Sequence, residues 1–142
     1  MTRINVVSVQ ALSDQHLGAE YRELPRIFGA VRKKVTNGVS LSSLVIPGSY
    51  CLGDGHVTFF YNKLGFLTQR YRALCAECLV RGRQVNYGDI EKLTEGIPEE
   101  WFGSWTPSAK DIALNLERIA DRGGLRVDMV KSASFLIPMI LL

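Results

Sequence analysis

Two groups near the start of the chain could together perform nucleophilic chemistry: the α-amine of Thr2 and the carboxylate of Glu23. The chain begins MTRIN, and Thr2 is small enough for cellular aminopeptidases to remove Met1 and leave a free α-amine on Thr2. The pKa of an α-amine in a simple peptide is about 7.7–8.0, so part of it is unprotonated and nucleophilic at neutral pH. Nearby cations such as Arg3 and Arg22 would lower that pKa further, because they disfavour another positive charge.

Glu23 lies among cations in the stretch AEYRELPRIFGAVRKK, residues 19–34. An amine nucleophile needs a group that shuttles protons and stabilises a cationic intermediate, and a carboxylate can do both. The alternative is a surface ion pair between Glu23 and Arg26, worth about 0.2–0.5 kcal/mol. The catalytic interpretation requires the fold to bring Thr2 beside Glu23, which spacing in the sequence does not determine.

A cationic stripe is expected beside Glu23. On a helical wheel, Arg22, Arg26 and Lys33 fall on one side of Glu23, next to two alanines. Residues 1–38 carry six Lys or Arg against three acids, whereas residues 89–111 carry two against six. Arginine donates two parallel hydrogen bonds to phosphate, so such a stripe could follow a nucleic-acid backbone. A solvated surface of mixed charge is the alternative.

Composition indicates one globular domain spanning residues 1–142. The chain is 46% apolar and 22% charged, which is typical of a protein with a packed core. Three cysteines, an odd number, argue against a disulfide framework and fit a reducing compartment. The final apolar run, FLIPMILL, is shorter than the about 20 residues that span a bilayer. No secretion signal is apparent, so we expect a soluble, intracellular protein.

Other chemistry-bearing patterns have simpler explanations. Cys75 and Cys78 have metal or redox spacing, but both fall in a predicted helix, where buried thiols are expected. Cys51 and His56 could complete a zinc set with them only if the fold brings all four together. Acids also cluster in residues 89–100, where a solvated acidic face is favoured over a metal-dependent nuclease site.

Three main helices are predicted from apolar residues spaced by three and four. The expected ranges are about Asp14–Val35, about Lys63–Arg81 and a segment from Ser108 to Gly123. Residues with capping or terminating character flank them: Ser13, Asn37-Gly38, Asn62, Gly82, and the Ser108–Asp111 capping box. The third helix is expected to direct Ile112, Leu116, Ile119 and Ala120 inward.

Pro25 lies inside the first predicted helix, where a bend is expected. Two long connections, residues 39–61 and 83–106, separate the three helices, and the first could hold a short hairpin or wrap the core. The expected fold class is all-α: a single compact domain of three main helices with long packed loops.

The chain resembles the pyrimidine-dimer DNA glycosylases with AP-lyase activity, the small ultraviolet-damage endonucleases of phages and algal viruses. The resemblance is nearly gapless to about residue 83 and patchy to about residue 122. The motifs that carry it are MTRIN, DQHL, AEYRELPR, FGAVRK, GHVTFFY, KL-FL and AECL-RG.

The resemblance implies a mostly helical domain with its N-terminal segment threaded between helices. It implies that Met1 is removed and that the Thr2 α-amine attacks C1′ of the 5′ nucleotide of a cyclobutane pyrimidine dimer. The resulting imine would permit β-elimination of the 3′ phosphate, with Glu23 stabilising the iminium and transferring protons. The resemblance also implies that a base opposite the lesion is flipped out of the duplex. It implies no metal and no organic cofactor.

The same resemblance assigns DNA contacts. They fall on Arg3, Gln15, His16, Tyr21, Arg22, Arg26 and Lys33, and, allowing one inserted residue, on Arg118 and Arg122. The implied partner is double-stranded DNA containing ultraviolet photoproducts, bound by a monomer without a membrane. Two departures affect these expectations: the tail from about residue 125 to 142 is apolar where relatives are basic and aromatic, and Tyr71 replaces a commonly polar residue.

Two other functions remain open from sequence alone. A non-catalytic module could bind damaged DNA through the same basic face, although it would need neither Thr2 nor Glu23. A metal-dependent nuclease would be inhibited by EDTA, whereas imine chemistry would not.

Overall fold

The computed structural model describes residues 2–85 and 90–126, and helices dominate both ranges. The α-helices are α1 (Asp14–Glu23), α2 (Pro25–Thr36), α3 (His56–Phe59), α4 (Leu64–Val80), α5 (Ile90–Thr94) and α6 (Ala109–Asp121). Turns of 3-10 helix lie at Val9–Ala11, Leu41–Ser43 and Glu99–Trp101. In these ranges β pairing is limited to two isolated bridges, Leu12–Leu125 and Lys63–Phe102. The predicted all-α class in a single compact domain is confirmed.

The long helix α4 runs through the core against α1. The apolar positions that predicted it are all buried: Leu64, Leu67, Tyr71, Leu74 and Cys78. The helix ends at Val80 with Arg81 as its C-cap, and the positive φ of 76° at Gly82 is a conformation that glycine adopts without strain. In the described ranges, no helix combines the length and apolar character needed to cross a membrane.

The first predicted helix is in fact two helices, α1 and α2. Pro25 is the first residue of α2, since it lacks the N–H that would continue α1 and its fixed φ suits an N-terminal turn. Leu24 joins the helices and donates its N–H to Glu20 O at 2.9 Å. Glu23 is therefore the last residue of α1, while Arg26 and Lys33 belong to α2. The prediction of one continuous helix was wrong here.

The start of α6 agrees with its capping-box pattern: Ser108 Oγ accepts from Asp111 N, and Asp111 accepts from Ser108 N. The inward face differs from the prediction, because Ala120 is exposed and Asn115 is completely buried. The predicted Asn62 cap of α4 was also wrong. Lys63 occupies the cap position, and Asn62 Oδ1 instead accepts from Lys63 Nζ at 2.9 Å.

The connection from residue 39 to 61 wraps the core and contains α3 rather than a hairpin. Its aromatic rings form a cluster with two rings from elsewhere in the chain: Tyr50, His56, Phe59, Phe60, Phe66 and Trp105. In the second connection Glu91, Glu95, Glu99 and Glu100 are exposed, which agrees with a solvated acidic face. Asp89 and the chain beyond Arg126 lie outside the described residues.

Candidate active site

The N-terminal segment, residues 2–8, runs between the helices, and side chains satisfy its backbone groups. Ile4 N donates to His56 Nε2 at 2.9 Å. Val6 N and Val7 N both donate to Asn115 Oδ1, at 2.7 and 3.2 Å. Because buried backbone groups without partners are costly, these acceptors allow an extended segment to lie inside a helical core. The threaded arrangement implied by the family resemblance is confirmed.

A buried charged network fixes the same segment from the other side. Glu20 forms a two-pronged ion pair with Arg70, Nε to Oε2 at 2.8 Å and Nη2 to Oε1 at 2.9 Å. Asn5 Nδ2 donates to Glu20 Oε1 at 2.8 Å, and Asn115 Nδ2 donates to Asn5 Oδ1 at 3.0 Å. Arg70 also donates to the carbonyl oxygen of Val7. Helices α1, α4 and α6 therefore hold one short stretch of backbone.

Glu23 contacts the N-terminal segment directly. The backbone N–H of Arg3 donates to Glu23 Oε1 at 3.2 Å, and the Glu23 side chain is half-buried at the end of α1. Consecutive backbone nitrogens are separated by less than about 3.7 Å, so the Thr2 nitrogen lies within roughly 7 Å of this oxygen. The fold thus supplies the proximity of residues 2 and 23 that sequence spacing could not determine.

A cleft of about 190 Å³ opens at this point. It is lined by Arg3, Asn5, Gln15, His16, Ala19, Glu20 and Glu23. Four of the predicted site residues therefore share one cavity: Arg3, Gln15, His16 and Glu23. Its floor includes the Asn5–Glu20 pair, so the cleft is backed by the buried network.

Arg118 of α6 and Arg122, which caps the end of that helix, act on the same region. Burial lowers the pKa of Arg3, and repulsion from Arg122 and Arg118 lowers it further. Burial likewise lowers the pKa of His16, with added repulsion from Arg3 and Arg122. Within the described residues, Arg118 Nε is buried without a hydrogen-bond partner. Positive charge from two distant parts of the chain is therefore felt at the cleft.

The end of α6 is docked onto the start of α1. Ser13 N donates to Gly124 O at 2.6 Å, and Ser13 Oγ accepts from His16 N at 3.2 Å. A Cβ at Gly124 would lie 2.7 Å from His16 Cδ2, a distance that carbon atoms do not tolerate. Glycine at this position allows α6 to bring Arg118 and Arg122 beside the cleft.

The remaining predicted contacts lie outside the cleft. Arg22 is exposed on the flank of α1, and Arg26 and Lys33 are exposed on α2. Tyr21 is half-buried and stacks on Tyr71, with ring centroids 5.9 Å apart and planes at 7°. Tyr71 is itself buried, so this stacked pair joins the surface of α1 to the core.

His56 anchors the N-terminal segment, a role that sequence analysis did not predict. Nε2 accepts from Ile4, so Nδ1 must carry the proton, and it donates to Cys51 O at 2.8 Å. The ring is therefore neutral, and its burial lowers its pKa. The neutral imidazole accepts a hydrogen bond on one side and donates one on the other, and it thereby joins the N-terminal segment to the backbone at Cys51.

The cysteines do not assemble a metal centre with His56. Cys75 and Cys78 are buried in α4, where burial raises the pKa of Cys75 to about 11, which confirms the structural interpretation. Cys51 Sγ instead faces Asp54 O at 3.6 Å. In residues 2–85 and 90–126, no three His, Cys, Asp or Glu side chains are grouped to hold a metal.

The sequence of the chain matches a known protein family. The family described as pyrimidine dimer DNA glycosylase matches residues 1–91, a range that includes the N-terminal segment, the cleft residues of α1, His56 and all of α4. Arg118 and Arg122 lie beyond the matched range. Since the match covers well over half of the 142 residues, the chain belongs to the pyrimidine dimer DNA glycosylase family.

Proposed function

We propose that the protein cleaves the glycosidic bond of the 5′ nucleotide of a pyrimidine dimer and then nicks the strand, using the α-amine of Thr2 as nucleophile. Family membership supports glycosylase action on pyrimidine dimers in DNA. The hydrogen bond from Arg3 N to Glu23 Oε1 carries the assignment of residues, because it ties the residue after the nucleophile to the carboxylate. Removal of Met1 is part of the proposal.

The first step is substitution at the sugar. The unprotonated amine of Thr2 attacks C1′, the bond between C1′ and the base breaks, and the base leaves with the bonding electrons and takes up a proton. Nitrogen then loses its proton as the C1′–O4′ bond opens, and O4′ is protonated. The product is a protonated imine between Thr2 and C1′.

The second step is elimination. The positive imine acidifies the C2′ hydrogens, so a base removes one of them. The electron pair forms a C1′–C2′ enamine and then a C2′–C3′ double bond as the C3′–O bond breaks, and the 3′ phosphate departs. Hydrolysis of the imine returns the free amine. Glu23 is the proposed base and proton carrier, and its negative charge stabilises the iminium.

The basic surface supports DNA as the partner. Arg3, Gln15 and His16 line the cleft, and the charges of Arg118 and Arg122 act on it. We assign all five residues to DNA contact. Arg22, Arg26 and Lys33 continue along α1 and α2, and Tyr21 lies between them and the core. A basic surface of this extent makes binding to a polyanion more favourable, mainly because binding releases the counterions of the polyanion.

The test is trapping of the imine. Borohydride should covalently link the processed protein, with Thr2 at its N-terminus, to ultraviolet-irradiated duplex DNA but not to undamaged duplex. Glu23→Gln should slow trapping by about 10²–10⁴-fold while retaining lesion binding, because the amide keeps the shape and loses the base. Glu100→Gln, a change at an exposed acid, is the matched control and should trap at the parent rate.

Several outcomes would overturn this assignment. Trapping that persists after the N-terminus is acetylated would exclude Thr2 as nucleophile. Lesion binding without any adduct would indicate a non-catalytic damage-binding module. Nicking that EDTA abolishes would indicate a metal-dependent nuclease instead.

A further inference from the structure

Arg22 of α1 and Arg83, which follows the end of α4, meet over Gly18 on α1. A Cβ built on Gly18 would lie 2.2 Å from Arg83 Nη1 and 3.1 Å from Arg22 Nη1. Arg83 is held there by its Nη1 group, which donates to the backbone oxygen of Asp14 at 2.9 Å. Two guanidinium groups therefore lie side by side over a patch of bare helix backbone.

Nearby acids are already engaged elsewhere. Asp14 Oδ1 and Glu77 Oε2 both accept from Arg81 at 2.9 Å. In the part of the chain that the structure describes, neither Arg22 nor Arg83 forms an ion pair. Two like charges held close together repel each other, and an anion placed between them would relieve the repulsion.

We propose that Arg22 and Arg83 form a two-arginine clamp for a backbone phosphate of the DNA duplex, which adds Arg83 to the binding surface. A phosphate accepts parallel hydrogen bonds from each planar guanidinium. Arg83 is not among the residues that the family resemblance assigns to DNA contact. The clamp rests on the proposed function, because it identifies the anion as part of the same duplex.

The position of the clamp fits a phosphate away from the reacting nucleotide. Gly18 is five residues before Glu23, which places it about 140° around the helix from the carboxylate. Gln15 lies between the two faces and lines the cleft. A strand that enters the cleft can therefore continue across Gln15 to the clamp.

The clamp can be tested on undamaged duplex, where phosphate contacts dominate affinity. Anisotropy titrations over a range of salt concentrations should show that Arg83→Gln weakens binding and reduces the slope of log K against log salt by about 0.9, the value for one lost phosphate contact. Gly18→Ala should have a similar effect with every charge retained, because its methyl group displaces the Arg83 guanidinium. The melting temperature of each variant shows that the fold is intact.

Arg72→Gln provides the matched control. Arg72 is an exposed arginine on α4 that lines a separate groove with Glu91 and Glu99. The slope of log K against log salt in Arg72→Gln should therefore equal that of the parent. An unchanged slope in Arg83→Gln, with a reduced slope in Arg22→Gln, would overturn the clamp while the proposed function stands. If the variants change the salt slope as predicted but the parent protein traps no imine, the clamp is supported and the catalytic proposal is overturned. A parent that does not bind duplex DNA overturns both.

Discussion

His56 Nε2 accepts a hydrogen bond from the backbone N–H of Ile4 at 2.9 Å, across 52 residues of sequence. The hydroxyl of Tyr50 approaches the carbonyl oxygen of the same residue at 3.5 Å. Ile4 is therefore held by both of its backbone polar groups, one residue beyond the Arg3–Glu23 contact. The connection between α2 and α4, which has no residue in the cleft, sets where the cleft's N-terminal wall lies.

Replacing His56 should damage catalysis more than substrate binding. His56→Phe keeps an aromatic ring but removes the acceptor, so a buried N–H is left unpaired at a cost of about 1–3 kcal/mol. We expect lower stability in urea and slower single-turnover trapping, with affinity for lesion DNA little changed. His56→Gln, whose amide oxygen can accept from Ile4, should recover part of the rate. Equal rates for the Phe and Gln variants would contradict a positioning role.

Acidification should destabilise the protein through His56. Burial lowers the pKa of its ring in the folded state, so the unfolded chain binds a proton at higher pH than the folded chain does. Its contribution to stability is complete above the unfolded pKa of about 6.5 and is lost as pH falls from there towards the folded pKa. Arg3 and Arg118 oppose protonation and Glu20 favours it.

The measurement is the free energy of unfolding in urea between pH 7.5 and 5. His16 has a lowered pKa as well, so the parent is compared with His56→Gln, which retains His16. The parent should lose more stability over this interval than the variant. The same loss in both proteins would show that His56 does not titrate in this way.

The Glu20–Arg70 ion pair should be sensitive to removal of one partner. Arg70→Met leaves the carboxylate of Glu20 buried without its cation, and breaking such a pair costs about 3–5 kcal/mol. The double variant Glu20→Leu/Arg70→Met removes both charges and should recover part of the loss. Arg72→Met, at an exposed arginine two residues away, should change stability by less than about 0.5 kcal/mol. Similar losses at positions 70 and 72 would contradict the burial of this network.

Gly124→Ala should weaken DNA binding without altering any charge. The added methyl would lie 2.5 Å from Ile119 Cγ2 and 2.7 Å from His16 Cδ2, so the end of α6 must move away from α1. Arg118 and Arg122 would move with it, and we expect weaker binding to lesion duplex together with a lower melting temperature. Gly29→Ala is the control, since a Cβ there meets nothing within 4 Å. Unchanged affinity in Gly124→Ala would show that α6 cations act independently of this docking.

Sequence periodicity was sufficient for the parts of the fold governed by local interactions. The apolar seam of α4, the Ser13 cap of α1 and the Ser108–Asp111 capping box depend on residues within a few turns of each other, and each was predicted correctly. The break at Pro25 was underestimated, because a proline inside an amphipathic pattern fits either a bend or two helices. Tertiary packing decides between them.

The candidate site was harder to predict from the sequence, because its contacts join residues that are far apart in the chain. Glu23 could be proposed from its basic surroundings, but its contact with Arg3 spans 20 residues. In the sequence, Asn115 is a polar residue beside the apolar positions of α6. No local pattern identifies it as the hydrogen-bond acceptor for the backbone N–H groups of Val6 and Val7, more than 100 residues away. His56 was considered only as a metal ligand, although it lies in one of the family motifs.

The threaded N-terminal segment has a consequence for when activity can arise during synthesis. Three of its anchors, His56, Arg70 and Asn115, are translated long after it, and the last of them belongs to α6. A ribosome-bound chain that stops before α6 therefore contains the family-matched residues but lacks an acceptor for two of the segment's amides. Full anchoring of the segment therefore has to wait until α6 has been synthesised, and we expect activity only after that point.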